Sequence, residues 1–287
     1  MNKPNIISLI KICAFTVFIG RAYQFYFFGA PFRSILWDES LLTPIVEGLF
    51  NTSWYDYATS PKVNDWIEGF TKLCSVILFL AAVVSLFWDK FKFERLKRIT
   101  LGLGLFILFL LGTCIVKDKN YDYFQFFELT MQFVAPILLL LNINYNKKKN
   151  IIGIKIAIAA TFISHGLFAM GFIYLPGNFV DMTIMILGVN ETQANSFLYI
   201  AGILDIVISI LIFIPKLSKY ALIYMILWGF ATAFVRLFAG FNQNFLFMSI
   251  HGSTFLVIYR LSHGLIPLLV LLIEEKLRKV KIPTNES

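Results

Sequence analysis

Arg21, Glu128, His165, Asp205, Arg236, Arg260 and His263 all stand inside long apolar stretches of a 287-residue chain. If those stretches cross a bilayer, a charge near mid-depth costs roughly 2.5–3.5 kcal/mol on insertion scales, so something must offset it. Arg260 and His263 are three residues apart and therefore share about one helix face, and Asp205 falls at a similar depth on another helix. Two readings follow. In the first, Arg260 pairs with Asp205 to order a helix bundle, with His263 facing the same interior. In the second, the excess of cations matters more than the pair. Arg21, Arg236 and Arg260 outnumber the acids Asp205 and Glu128, and a surplus buried cation invites an anionic or carbonyl-bearing ligand. A lipid head group, a quinone or a small anion fits that description.

Other chemistries find less support. His165, His251 and His263 are each followed by glycine, which lets a flat cofactor or another helix come close. Haem held by His165 and His263 is the form this would take, and it ranks below a hydrogen-bonded packing role for each histidine. No metal site is expected, because His251 and His263 lie 12 residues apart on different faces and no zinc spacing is present. Cys13, Cys74 and Cys114 form no CxxC pair and no disulfide framework. No dinucleotide, P-loop, nucleophile-elbow or HExxH motif occurs.

The elements that carry these residues are membrane spans. The chain is 58% hydrophobic and 15% charged with mean hydropathy +0.75, against about 25% charged for soluble domains. Apolar runs long enough to cross a bilayer lie near 6–28, 69–88, 98–116, 124–143, 152–175, 195–214, 219–241 and 254–273. This predicts an all-α integral membrane protein of eight helices. The basic residues then fall mostly on one side. That side takes Lys3, Lys11, the cluster Lys90–Arg98, Lys147–Lys149 with Lys155, Lys216, Lys219 and the run Lys276–Lys281. The other receives only Arg33, Lys62, Lys72, Lys117 and Lys119. The positive-inside rule places both termini in the cytoplasm. It also accounts for the net charge of +8, so no nucleic-acid partner is expected. Lys11 and Lys155, near the inner ends of their spans, are expected to snorkel.

The chain reads as two similar four-helix units, 1–146 and 147–287. A proline-marked exit and a partly amphipathic stretch, interfacial or re-entrant, follow helices 1 and 5. "WIEGFTKLCSVILFL" aligns with "YIAGILDIVISILIF", and "ELTMQFVAPILLLL" with "YRLSHGLIPLLVLL", setting Gln132 opposite His263. The outer loop 29–68 is rich in Trp, Tyr and acids, as interfacial anchors or a docking surface for a periplasmic or membrane protein partner. The stretch "YIAGILDIVISILIFIP", with Gly202 and Asp205, resembles the second helix of the DoxX/DoxD-like family of four-helix bacterial membrane proteins. In the first half Gly69 matches but Lys72 stands at the acidic position. The resemblance implies a bacterial inner-membrane protein, in some members linked to quinone or sulfur redox chemistry. The expectation is a subunit of a redox or quinone-linked system, its pocket in the outer half of the bilayer lined by Asp205, Arg236, Arg260 and His263. A small-solute permease, or a scaffold presenting loop 29–68, is the alternative.

Overall fold

The computed structural model describes residues 6–280; Lys3 and Lys281 lie outside the described residues. The described chain contains helices and no strand, as lipid requires of a chain that must satisfy its own backbone N–H and C=O groups. In order the helices are α1 (Ile6–Phe27), α2 (Arg33–Leu36), α3 (Glu39–Phe50), α4 (Trp54–Thr59), α5 (Pro61–Leu86), α6 (Glu94–Asp118) and α7 (Phe124–Phe127). There follow α8 (Thr130–Leu140), α9 (Lys148–Ala169), α10 (Gly177–Leu187), α11 (Glu191–Leu211), α12 (Ser218–Ala239), α13 (Leu246–Arg260) and α14 (Ser262–Val280).

Seven of the described helical stretches are long and apolar enough to cross a membrane, α13 and α14 counting as one stretch. They present large apolar side chains outward, among them Phe106, Ile156, Ile200 and Leu227, the pattern of surfaces meant for lipid rather than water. The expected span at 124–143 is not a single helix. It is interrupted at Glu128 and Leu129, leaving an 11-residue α8. The span at 254–273 loosens only at Leu261, which keeps right-handed helical dihedrals and its N–H bond to the Val257 carbonyl at 3.1 Å. The segment 29–68 is mostly helical rather than a loop, because Asp38, Ser53 and Pro61 each start a helix there.

Asp38 joins this segment to α6. Its carboxylate accepts the Leu41 N–H at 2.9 Å and pairs with Lys117 Nζ at 2.5 Å. Lys117, then Ser40, hold the Asp38 carboxyl at about 2, below its ordinary 3.8. A depressed folded value means the contribution is complete above pH 3.8 and is lost as pH falls through about 2. Asp38→Asn should therefore flatten the acid limb of the stability profile between those values. An unchanged slope in unfolding scans would show that Asp38 is not the group responsible.

The packing order recurs along the chain. α1 packs on α5, α5 on α6 and α6 on α8; α9 packs on α11, α11 on α12 and α12 on α14. One apolar core runs through both halves, from Phe18, Leu78 and Leu108 to Met225, Ile266 and Val270, and it encloses the thiols of Cys13, Cys74 and Cys114. The expected alignment sets Lys72 against Asp205, but Lys72 is exposed and Asp205 is buried; the buried face of α5 carries Ile67, Thr71, Ser75 and Leu78.

Lys155 does not snorkel. Its ammonium is buried and donates to the Ile212 carbonyl at 2.7 Å and to Ser218 Oγ at 2.9 Å, with Glu274 Oε1 at 2.6 Å. One side chain of α9 thus ties the end of α11 and the start of α12 to α14. Lys11 differs: its ammonium reaches the exposed carboxylate of Asp89 at 2.5 Å, as a snorkelling lysine does.

Candidate functional site

A cavity of about 220 Å³ lies between α9, α10, α11, α12 and the α13–α14 junction. Each wall follows from a local spacing. α10 turns Phe179, Met182, Thr183 and Ile186 toward it, the i, i+3, i+4, i+7 stripe of an amphipathic helix. This is the segment expected to be interfacial or re-entrant, and it forms one side of the cavity. α12 contributes Trp228, Thr232 and Arg236, spaced four apart on one face. α9 and α11 bring His165 and Asp205, and the junction at Leu261 brings Arg260 and His263 from either side of it.

Glycines allow the helices to come this close. A Cβ at Gly202 would lie 2.5 Å from the Gly166 carbonyl oxygen, and one at Gly166 would lie 2.7 Å from that of Gly202. A Cβ at Gly229 would lie 2.4 Å from the His263 carbonyl oxygen. That carbonyl is four residues before Pro267, which has no N–H to offer it. The glycines after His165 and His263 thus serve helix–helix contact: Gly166 faces α11, and Gly264 lies under the Phe230 ring.

Five of the seven candidate residues line the cavity: His165, Asp205, Arg236, Arg260 and His263. Glu128 sits behind it, where the break between α7 and α8 puts Oε1 3.0 Å from His165 Nδ1. His165 Nε2 in turn lies 3.3 Å from His263 Nε2, and His263 Nδ1 lies 3.0 Å from the Arg260 carbonyl. Arg21 stands apart. Its guanidinium donates to Gln132 at 2.9 Å and to Gln24 at 2.7 Å, and stacks 3.7 Å from the Tyr259 ring centre. The Arg21–Gln132 contact joins α1 to α8, and the His165–His263 contact joins α9 to α14.

The expected Arg260–Asp205 ion pair is not formed. Asp205 accepts a hydrogen bond from the Tyr224 hydroxyl at 3.4 Å, with the Trp228 indole beside it. The Nε atoms of Arg236 and Arg260 are both buried without a hydrogen-bond partner. The two guanidiniums are close enough to feel each other's charge and that of Glu128. Polar groups therefore gather at one side of a cavity otherwise walled by Phe162, Phe179, Met182, Ile186, Phe197 and Trp228. Thr183, Tyr224, Trp228 and Thr232 were not among the expected site residues. The four-residue spacing of Trp228, Thr232 and Arg236 is the signal that could have found two of them.

His251 belongs elsewhere. It hydrogen-bonds Tyr23 and packs among Phe27, Phe28 and Phe247 where α1 meets α13. Among the described residues no group of three or more His, Cys, Asp or Glu is arranged to hold a metal ion. Comparison with protein-family models, with characterised proteins and with solved structures returns no match, so the chemistry of the cavity itself carries the functional reading.

Proposed function

We propose that this integral membrane protein binds a small amphipathic molecule of the quinone class in the cavity of its C-terminal half, as a subunit of a redox or quinone-linked system. The observation that carries this reading is the pair of guanidiniums, Arg236 and Arg260, whose buried Nε donors have no partner in the chain. Buried donors are costly when unsatisfied, and a carbonyl or anionic oxygen is the kind of acceptor they lack. The apolar walls suit a ring. At about 220 Å³ the cavity is smaller than the roughly 300–1,000 Å³ of typical ligand pockets, so it takes a head group and leaves any long tail to the bilayer. The resemblance around Gly202 and Asp205 to the DoxX/DoxD-like family supports the same reading.

In this proposal the interrupted stretch Phe124–Leu140 completes an eighth crossing, and the chain comprises two four-helix units related by duplication. Both termini then face the cytoplasm of a bacterial inner membrane, and the cavity lies in the outer half of the bilayer. A permease is the second reading. It is favoured by the interrupted stretch α7–α8, since broken helices recur at transporter substrate sites.

Titration of the purified protein with a short-chain ubiquinone should quench tryptophan fluorescence saturably through Trp228. Arg236→Ala with Arg260→Ala should weaken binding by roughly 10- to 100-fold, the loss of one or two charge-assisted hydrogen bonds. Equal affinity in a double variant that melts like the parent would reject the site. Absence of saturable binding in the parent, with uptake of a solute into proteoliposomes, would favour the permease.

A further inference from the structure

We propose that the line Glu128–His165–His263 stores one proton for the head group held at Arg236 and Arg260, which rests on the ligand reading above. Hydrogen-bond bookkeeping along the line leads to it. The Arg260 carbonyl can only accept, so His263 Nδ1, 3.0 Å away, must carry a hydrogen. Ser262 Oγ does not compete, because it donates to the Tyr259 carbonyl at 3.1 Å. His263 Nε2 is then a lone pair, and the 3.3 Å contact with His165 Nε2 is favourable only if the latter carries a hydrogen. That leaves His165 Nδ1 facing the Glu128 carboxyl at 3.0 Å. With a neutral His165 and an ionised Glu128, two lone pairs would meet there. One further proton, on Nδ1 or on Oε1, makes the contact a hydrogen bond.

Every contact on the line is therefore satisfied when it holds one proton more than a carboxylate and two neutral imidazoles. Four further groups bear on its charge: Arg260 from α13, Arg236 from α12, Arg21 from α1 and the Tyr174 hydroxyl. Arg236 and Arg260 lie near Glu128, so they compensate its carboxylate once the proton has left. His165 and His263 both line the cavity. For the mono-anion of a quinol bound there, an N–H bond of the line breaks and an O–H bond forms on the ligand. The products are a neutral quinol and a carboxylate facing two guanidiniums. Glu128, though outside the cavity, is a positioning and proton-holding residue, and it makes the C-terminal site depend on the N-terminal half.

The chain has three histidines, so nitrogen NMR of histidine-labelled full-length protein in lipid nanodiscs resolves the question without any assay of turnover. At pH 7.5 the wild type should show one imidazolium, assigned to His165 by its loss in His165→Gln, or else an infrared band of a protonated carboxyl that disappears in Glu128→Gln. Glu128→Gln keeps the shape and can donate its amide hydrogen to Nδ1, so it should leave His165 neutral in a folded protein. Three neutral histidines, with no carboxyl band in the wild type that Glu128→Gln removes, would overturn the proposal. If the short-chain ubiquinone binds and that result is found, only the proton store fails. If the stored proton is found and no quinone binds, the store stands and the ligand reading falls.

Discussion

Lys155→Ala should lower stability by about 3 kcal/mol, measured as a shift in detergent or thermal unfolding. Removing one member of a buried ion pair typically costs about 3–5 kcal/mol, because the remaining charge stays buried and uncompensated. The lower end applies here, since Arg278 lies 3.8 Å from Glu274 and can take up part of the charge. Neutral interhelical hydrogen bonds in membranes average about 0.6 kcal/mol, so a loss of that size would mean that the ammonium is solvated rather than buried. Substituting both partners, Lys155→Met with Glu274→Leu, removes the stranded charge and should cost far less than the single change. Cooperative loss in the single variant and recovery in the double one together identify the pair as a clasp among α9, α11, α12 and α14.

Gly202→Ala should cost about 1–3 kcal/mol, the usual range for overpacking a filled interior. The new methyl would sit 2.5 Å from a backbone carbonyl and 2.6 Å from Met170 Cγ. The methionine can move; the carbonyl moves only if α9 does. Because His165 directly precedes Gly166, the same displacement shifts an imidazole of the cavity, and ubiquinone affinity should fall with stability. Gly153, on the same helix α9, has nothing within 4 Å of its missing Cβ. Gly153→Ala should be neutral or stabilising by roughly 0.4–1 kcal/mol, since alanine restricts the unfolded chain and favours helix. Similar effects at both glycines would show that helix propensity, not close approach, sets the cost at Gly202.

Helical content, apolar spans and the identity of the polar residues were legible because each depends on local composition. Hydropathy locates a helix, and an ionisable residue inside one stands out without knowledge of its neighbours. Partner choice was not legible. Arg260 and Asp205 lie at matching depth, yet rotation about the helix axes turns Asp205 toward Tyr224 and leaves Arg260 beside Arg236. The break at Glu128–Leu129 was also hidden, since it interrupts a stretch whose hydropathy barely changes. Nor does hydropathy tell which face of α5 is buried: Thr71 is enclosed while its neighbour Lys72 is exposed. Snorkelling was expected of Lys155 because its partner Glu274 is 119 positions further along the chain and only the fold brings them together.

The three cysteines, all within the apolar core, have a practical consequence. With Cys13, Cys74 and Cys114 each at most 2% exposed, the folded protein offers almost no thiol to a water-borne reagent. Reporter cysteines can be placed on its rims without first stripping out the native ones. Sidedness, the property that links the lysine clusters to a compartment, then becomes readable by impermeant maleimides on an otherwise unaltered chain.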